Sequence, residues 1–257
     1  MTDFVPTPER QNQILSLLTR QQRLSVAEIV EQFAISEATA RRDLESLASQ
    51  GKARRVHGGV MAVEQAPPEL PILERESEQL DEKIRIARAT AGLVYDKETV
   101  FLGSGSTVLE VARHLRNRHN LTVITNSLSV LNTLVGIKGI TVISLGGMLR
   151  DSELSFIGHI TEQALAEVRA DKVIMGTRGL SLEHGLTNDY LQETLTDRAI
   201  MKIGRTVIIV ADHTKVNRVA TALLAPLDSV HTFVTDAKAD KKFIQALKKN
   251  GIQVIVA

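Results

Sequence analysis

The stretch from Ser25 to Leu47 reads Ser-Val-Ala-Glu-Ile-Val-Glu-Gln-Phe-Ala-Ile-Ser-Glu-Ala-Thr-Ala-Arg-Arg-Asp-Leu-Glu-Ser-Leu, and Gly51-Lys-Ala-Arg-Arg-Val-His-Gly-Gly59 follows. Ser25 with Glu28 three residues later has the pattern of a capping box, which predicts a helix from there to about Phe33. Ser36 starts a second helix after a short turn, which is helix-turn-helix spacing. At ~100° per residue, Ala40, Leu44 and Leu47 share one face of that second helix and point at a small core with Ile29, Phe33 and Ile35. The opposite arc carries Ala38, Arg42 and Glu45, flanked by Thr39 and Arg41. Guanidiniums grip guanine O6 and N7 bidentately, and small or hydroxylated side chains lie against a thymine methyl or a phosphate. Such a face suits the major groove of DNA, with Ser36 at its start. Beyond Gly51, which stops the helix, Lys52–Val56 and Val60–Val63 pair as a hairpin around His57-Gly58-Gly59. Lys52, Arg54 and Arg55 are its only charged residues up to Gly59. A basic hairpin behind a recognition helix is a wing placed to hold phosphates. An isolated Arg-Arg pair would read as a solvated helix face; the capped spacing, the apolar face and the hairpin point to DNA instead.

Working outward, Pro6 and Pro8 precede a helix of about Glu9 to Gln21 that buries Ile14, Leu15, Leu17 and Leu18. The expected first domain is a winged helix-turn-helix at residues 1–62. Glu64-Gln-Ala-Pro-Pro-Glu-Leu-Pro71, with three prolines and no period, marks a linker at 63–76. Glu74 to Val94 reads as one helix with Leu80, Ile84, Ala87, Ala91 and Val94 on one face. From Thr99 apolar strands alternate with amphipathic helices. The strands are Val100–Leu102, Leu121–Thr125, Ile140–Leu145, Lys172–Gly176, Thr206–Ala211, Thr232–Thr235 and Gln253–Val256. This alternation predicts a mostly parallel α/β sheet covered on both faces, in a second domain at 77–257.

Ligands of open α/β sheets sit at the carboxyl ends of the strands. Gly103-Ser104-Gly105-Ser106-Thr107 follows the first strand and opens into a helix. Glycines admit an anion close to the backbone, and the hydroxyls and helix amides supply donors. The bland alternative is a glycine-rich turn with capping hydroxyls. Other strand ends carry Thr125-Asn126-Ser127, Gly146-Gly147 with Arg150 nearby, Gly176-Thr177-Arg178-Gly179 and Asp212-His-Thr-Lys215. Lys215 and Arg178 suit a phosphate, Asn126 and Asp212 suit sugar hydroxyls; singly, each reads as a surface residue.

Several classes are disfavoured. The dinucleotide fingerprint lacks its third glycine, because Val108 stands there, and no Walker loop is present. The seven histidines (His57, His114, His119, His159, His184, His213 and His231) show no metal-ligand spacing. No Gly-x-Ser-x-Gly elbow exists. Neither a metal nor another cofactor is expected. With no cysteine the 257-residue chain has no disulfide framework, and its net charge of +1 leaves local basic patches to decide its partners. No apolar run approaches the ~18–20 residues of a membrane span, and the first residues lack a signal pattern, so a cytoplasmic protein is expected.

Over nearly its whole length the chain resembles the DeoR family of bacterial transcriptional regulators. The resemblance rests on Glu9-Arg10 with Ile14 and Leu18, on Ser36-x-x-Thr39-x-Arg41-Arg-Asp-Leu44 and on Arg54-Arg-Val-His-Gly-Gly59. Further landmarks are Gly103–Thr107, Thr125–Ser127, Gly146-Gly147, Ala170-Asp171, Gly185-Leu-Thr187, the Glu193 to Arg198 spacing and Asp212–Lys215. It implies a winged helix joined to a sugar-phosphate sensor similar to ribose-5-phosphate isomerase. It also implies repression of sugar uptake or breakdown, relieved by a phosphorylated intermediate. Many members carry Asp at Gly103 and Phe-Gly at Val216-Asn217, so the effector's identity stays open. The competing function is an active sugar-phosphate isomerase with a DNA-binding appendage. That chemistry requires a carboxylate base, and the strand end Gly176–Gly179 offers none. A DNA-binding module that senses a partner protein is a third reading. Half-site recognition predicts a homo-oligomer, a dimer or tetramer.

Overall fold

A computed structural model describes residues 6–21, 23–49, 52–62 and 70–257, without the side chains of Thr19, Arg20, Arg54 and Ala62. The helix stop expected at Gly51 and most of the linker, 63–69, lie outside these residues. The chain divides into two compact units, 1–65 and 66–257.

The first unit runs α1 (Thr7–Gln21), β1 (Arg23–Ser25), α2 (Val26–Phe33), α3 (Glu37–Ser49), β2 (Ala53–Val56) and β3 (Gly59–Ala62). The capping box forms as expected. The Ser25 amide donates to Glu28 Oε2 at 2.6 Å, and the Glu28 amide donates to Ser25 Oγ at 3.2 Å. Ala34, in the left-handed conformation at φ 49°, ends α2. Ile14, Leu18, Leu24, Ile29, Ala40, Leu44, Leu47 and Val60 form the core, while Leu15 and Leu17 are only partly buried.

One feature corrects the sequence reading and two add to it. Arg23-Leu24-Ser25 is a strand that pairs with β3, giving the order β1-β3-β2. The hairpin turn is His57-Gly58, with Gly58 at φ 82°, and Gly59 belongs to β3 opposite Val56. A Cβ on Gly59 would lie 2.1 Å from the Leu24 carbonyl oxygen, so the glycine lets the third strand close in. Asp43, beside the two arginines of α3, is buried: Arg10 Nε reaches its Oδ2 at 2.7 Å and Gln11 Nε2 its Oδ1 at 3.1 Å.

The second unit begins with α4 (Ile72–Arg75) and α5 (Leu80–Ala91). The single helix expected over Glu74–Val94 is therefore broken, at Gln79 in the left-handed region (φ 49°). The break follows from anchoring: Ile72 is fully buried, and its amide donates to the Ser152 carbonyl at 2.8 Å. The buried face of α5 carries Lys83, Ile86, Ala87, Thr90 and Ala91, while Leu80 is exposed.

Then come β4 (Thr99–Leu102), α6 (Ser106–Leu115), β5 (Leu121–Thr125), α7 (Leu128–Leu134), β6 (Ile140–Ser144), β7 (Met148–Arg150) and β8 (Ser155–Ile157). After them follow α8 (His159–Ala166), β9 (Ala170–Met175), β10 (Gly179–Ser181), β11 (Gly185–Asn188), α9 (Leu191–Ile203) and β12 (Gly204–Val210). The chain closes with β13 (Ala222–Ala225), β14 (Thr232–Thr235), α10 (Lys241–Lys249) and β15 (Gln253–Val256). The seven anticipated strands form one parallel sheet in the order β15-β14-β12-β9-β4-β5-β6. Alternation along each strand feeds two cores. Val100, Leu102, Ile174 and Ile208 meet α5, α6 and α7, whereas Phe101, Val173, Ile209 and Phe233 meet α8, α9 and α10. Two antiparallel pieces were not anticipated: β7 with β8, and β10-β11-β13.

Removing one member of a buried ion pair costs ~3–5 kcal/mol, because the other charge stays buried and uncompensated. Asp43→Ala is therefore expected to shift urea unfolding of the first unit by that amount and to spare the transition of the α/β unit. Unchanged unfolding would show that Arg10 finds water instead.

Candidate functional site

In the first unit, Ser36 caps α3 by accepting the Thr39 amide at 3.2 Å. Ala38, Arg41 and Arg42 are exposed along the helix and Thr39 is half-buried. Arg41 leans on Glu37, its Nη2 at 2.6 Å from Oε1, so Arg42 is the less committed guanidinium of the two. Lys52, Arg55 and His57 are exposed on the hairpin. The expectation for Arg54 falls outside the described side chains.

In the second unit, a cleft opens where β4, β9 and β12 end. Gly103, Ser104, Gly105, Ser106 and Thr107 line it, joined by Arg178 after β9 and by Asp212 and Lys215 after β12. Gly105 precedes α6 at φ 111° with open space where a side chain would be, and no side chain caps that helix. The first amides of a helix lack intrahelical partners and carry a partial positive charge, so an uncapped start on a cleft is suited to an anion. Asp212 is turned back on its own loop, accepting the Thr214 amide at 2.9 Å. Arg178 Nε lies 2.8 Å from Asp189 Oδ2.

Four sequence candidates do not line this cleft. Thr125 Oγ1 donates to the Leu102 carbonyl at 2.7 Å, and Ser127 Oγ caps α7 by accepting the Val130 amide at 3.3 Å. Asn126 Nδ2 donates to the Phe156 carbonyl at 3.0 Å, tying the end of β5 to β8. The β7–β8 hairpin is bonded over this strand end. Arg150 pairs with Glu193 and stacks on the Tyr190 ring at 4.7 Å.

Sequence reasoning did not gather into the site a second set of lining residues, Arg75, Lys83, Glu153, Asn188, Glu193 and Asp197, although Glu193 stood among the family landmarks. They come from α4, α5, the β7–β8 turn, β11 and α9, and no strand-end rule collects them. A signal did exist in the buried charges of α5 and α9, where an apolar stripe is interrupted by Lys83, Glu193 and Asp197. Lys83 Nζ donates to the Arg75 carbonyl, and Arg75 pairs with Glu153. The cleft thus carries carboxylates from other elements, while the strand end Gly176–Gly179 itself supplies none. Burial holds the Lys83 ammonium below the usual lysine range, against the pull of Asp212. Burial, with Glu193 and Glu153 adding to it, pushes the Asp197 carboxyl well up. Among the described residues no cluster has the makings of a metal site, and no helix is long and apolar enough to cross a membrane.

The raised Asp197 carboxyl carries a sign. The folded state holds its proton more tightly than the unfolded chain, so this contribution is full below the ordinary carboxyl range. It is lost as pH rises through the raised value. Urea midpoints of the wild type should fall across that window, whereas Asp197→Asn, which has no proton to lose, should fall less. Parallel pH profiles would assign the titration elsewhere.

Comparison with known proteins agrees with both halves. Residues 10–66 match the model of the DeoR-like helix-turn-helix domain, and residues 78–237 that of the DeoR C-terminal sensor domain. The chain is 35% identical over 256 residues to the transcriptional repressor AccR of Agrobacterium fabrum, covering 95% of this chain and 99% of that one. It is 35% identical over 246 residues to the glycerol-3-phosphate regulon repressor of Escherichia coli, covering 96% and 97%. Among solved structures it shows a partial likeness to ribose 5-phosphate isomerase A of Methanocaldococcus jannaschii, with a TM-score of 0.41 at 18% identity over 54% of this chain and 55% of that one. The chain belongs to the DeoR family of transcriptional regulators.

Proposed function

We propose that the protein is a cytoplasmic repressor of a sugar uptake or catabolism operon, released from its operator by a phosphorylated sugar intermediate. The observation that carries the effector half is the uncapped start of α6, which shares one cleft with Lys83 and Lys215. The name of one relative, a glycerol-3-phosphate regulon repressor, supports the same class of compound. In this reading residues 1–62 hold DNA, 63–76 connect and 77–257 sense. Arg75, at the end of the connecting segment, then lines the cleft itself. An effector that binds the DNA-free conformation better than the DNA-bound one lowers operator affinity, and only such a preference does so. A homo-oligomer presents two α3 helices to two half-sites.

Arg42 is expected to read a base. Arg42→Ala should cost ~1–3 kcal/mol and relax preference at one operator position. Equal weakening on all sequences, measured by competition with single-base operator variants, would assign Arg42 to the backbone.

The wing should act on phosphates. Arg55→Ala is expected to weaken all sequences alike and reduce the slope of log affinity against log salt by roughly one. A salt titration that overlays the wild type would take the hairpin out of the interface.

Lys215→Ala should bind operator normally without effector and require roughly ten- to hundredfold more sugar phosphate for release, the loss of one charge-assisted bond of about 1.5–3 kcal/mol. Thr107→Val should move the same way by less. Wild-type release midpoints in both variants would place the phosphate elsewhere.

A further inference from the structure

From Leu121 to Leu149 the chain carries one charged residue, Lys138, although 24% of the whole chain is charged. Burial does not account for this, because Val135, Thr141, Ile143, Ser144, Met148 and Leu149 are exposed. Exposed surface depleted of charge is what the centre of a protein–protein interface looks like. The stretch builds β5, α7, β6 and the start of β7, and among the described residues β6 is the last strand of the sheet on its side. Edge strands are ordinarily blunted by charge, proline or a bulge, because their outward amides and carbonyls recruit other strands. Ile140-Thr-Val-Ile-Ser144 has none of these devices.

The ladder to β5 fixes which groups face outward. At its two ends the Leu121 amide donates to the Gly139 carbonyl at 3.0 Å, and the Leu145 amide donates to the Thr125 carbonyl at 2.8 Å. Backbone direction alternates along a strand, so Gly139, Thr141, Ile143 and Leu145 address β5, while Val142 and Ser144 direct amide and carbonyl away from the sheet. Ile143 stands beside Ile124 on one face. Ile124 is 1% exposed and Ile143 38%, so the core on that face stops one strand short of the edge.

We propose that a second copy of this chain docks on β6, antiparallel and about a two-fold axis at Ile143, so that two parallel sheets become one across the seam. In this register Val142 lies opposite Ser144 of the partner subunit, and every outward amide and carbonyl of the two residues finds a partner. Ile143 then faces its own copy in a non-hydrogen-bonded pair, the closer kind, with Cα atoms about 4.5 Å apart. A contact of this type closes on itself. The other edge of the sheet is less suited to it. There α10 packs beside β15 and exposes Lys241, Lys242, Lys248 and Lys249, which a two-fold axis would bring toward their own copies. The helix beside β6 is α7, Leu-Ser-Val-Leu-Asn-Thr-Leu, with no charge to repel. The seam rests on the homo-oligomer of the reading above and asks nothing of the cleft.

The full-length chain has no cysteine, so a thiol placed at 143 can bond only to its own copy. Under copper-catalysed air oxidation, Ile143→Cys should form disulfide dimers roughly tenfold or more faster than Gln245→Cys, because facing thiols at disulfide distance have a high effective concentration. Gln245, exposed on α10, reports random collision. Val142→Pro removes one outward amide, and an edge strand tolerates proline where the N–H would face solvent. Sedimentation of that variant should give half the wild-type mass, with far-ultraviolet circular dichroism unchanged. Equal rates for the two cysteine variants, in a wild type that sediments as an oligomer, would overturn the seam and leave the homo-oligomer standing. A folded proline variant of wild-type mass would do the same. Mass that grows steadily with concentration would mean that β6 meets β15 in an open chain, and would overturn the two-fold axis. A monomeric wild type would overturn both seam and homo-oligomer. If Val142→Pro fails to fold, the cross-linking comparison still decides.

Discussion

Three neighbouring strands decide where the cleft of the second unit opens. In the ladder β12-β9-β4, Ile174 pairs with Leu102 on one side and Ile208 on the other. Parallel strands in such register end within two residues of one another, so Gly103, Gly176 and Ala211 leave the sheet close together on one edge. The Gly103 amide still donates to the Ile174 carbonyl at 3.0 Å, which fixes the first residue of the glycine-rich turn to the middle of the sheet. Everything that α6 presents to the cleft inherits its position from that ladder. The remaining walls are then brought up to this edge by α4, α5, α9 and the β7–β8 turn.

Buried charge is the second organising element, and it has two uses. In the amino-terminal unit, Arg10 and Asp43 are nearly solvent-free, with side-chain exposures of 4% each, and connect α1 to α3. A buried pair is weak evidence for net stability, because desolvation offsets the attraction, but it is unforgiving of the wrong partner. It therefore sets which face of α3 turns inward, and leaves Arg41 and Arg42 outward. In the second unit the pair Arg75–Glu153 lies on the cleft wall, and Arg150, outside the cleft, pairs with the lining Glu193.

Much of the architecture was legible beforehand, because it depends on local rules. The capping box at Ser25 and Glu28, the apolar face of α3 and the near-continuous apolar strands each report on a few adjacent residues. Local rules also misled. The helix pattern from Glu74 to Val94 is real as a periodicity, yet Ile72 and Arg75 are held by Ser152 and Glu153 of a distant turn, and Gln79 bends the chain to allow it. The strand Arg23–Ser25 is too short to show a period, and exists because β3 offers it an edge and Gly59 offers it room.

By itself the sequence determined two units, the helices and strands of the helix-turn-helix and of the parallel sheet, and the glycine-and-hydroxyl turn at Gly103–Thr107, since helix caps, strand alternation and tight turns are encoded by near neighbours. Tertiary structure alone decided which polar residues share a cleft. Thr125, Asn126 and Ser127 stand at a strand end as the rule requires, but the β7–β8 hairpin covers that end and engages Asn126. Lys83, Glu193 and Asp197 stand inside helices, where the sequence gives no direction, and packing against the sheet turns them toward the same space as Gly103. Separation along the chain says nothing about such company, because it is set by strand order and by which helix face the core claims.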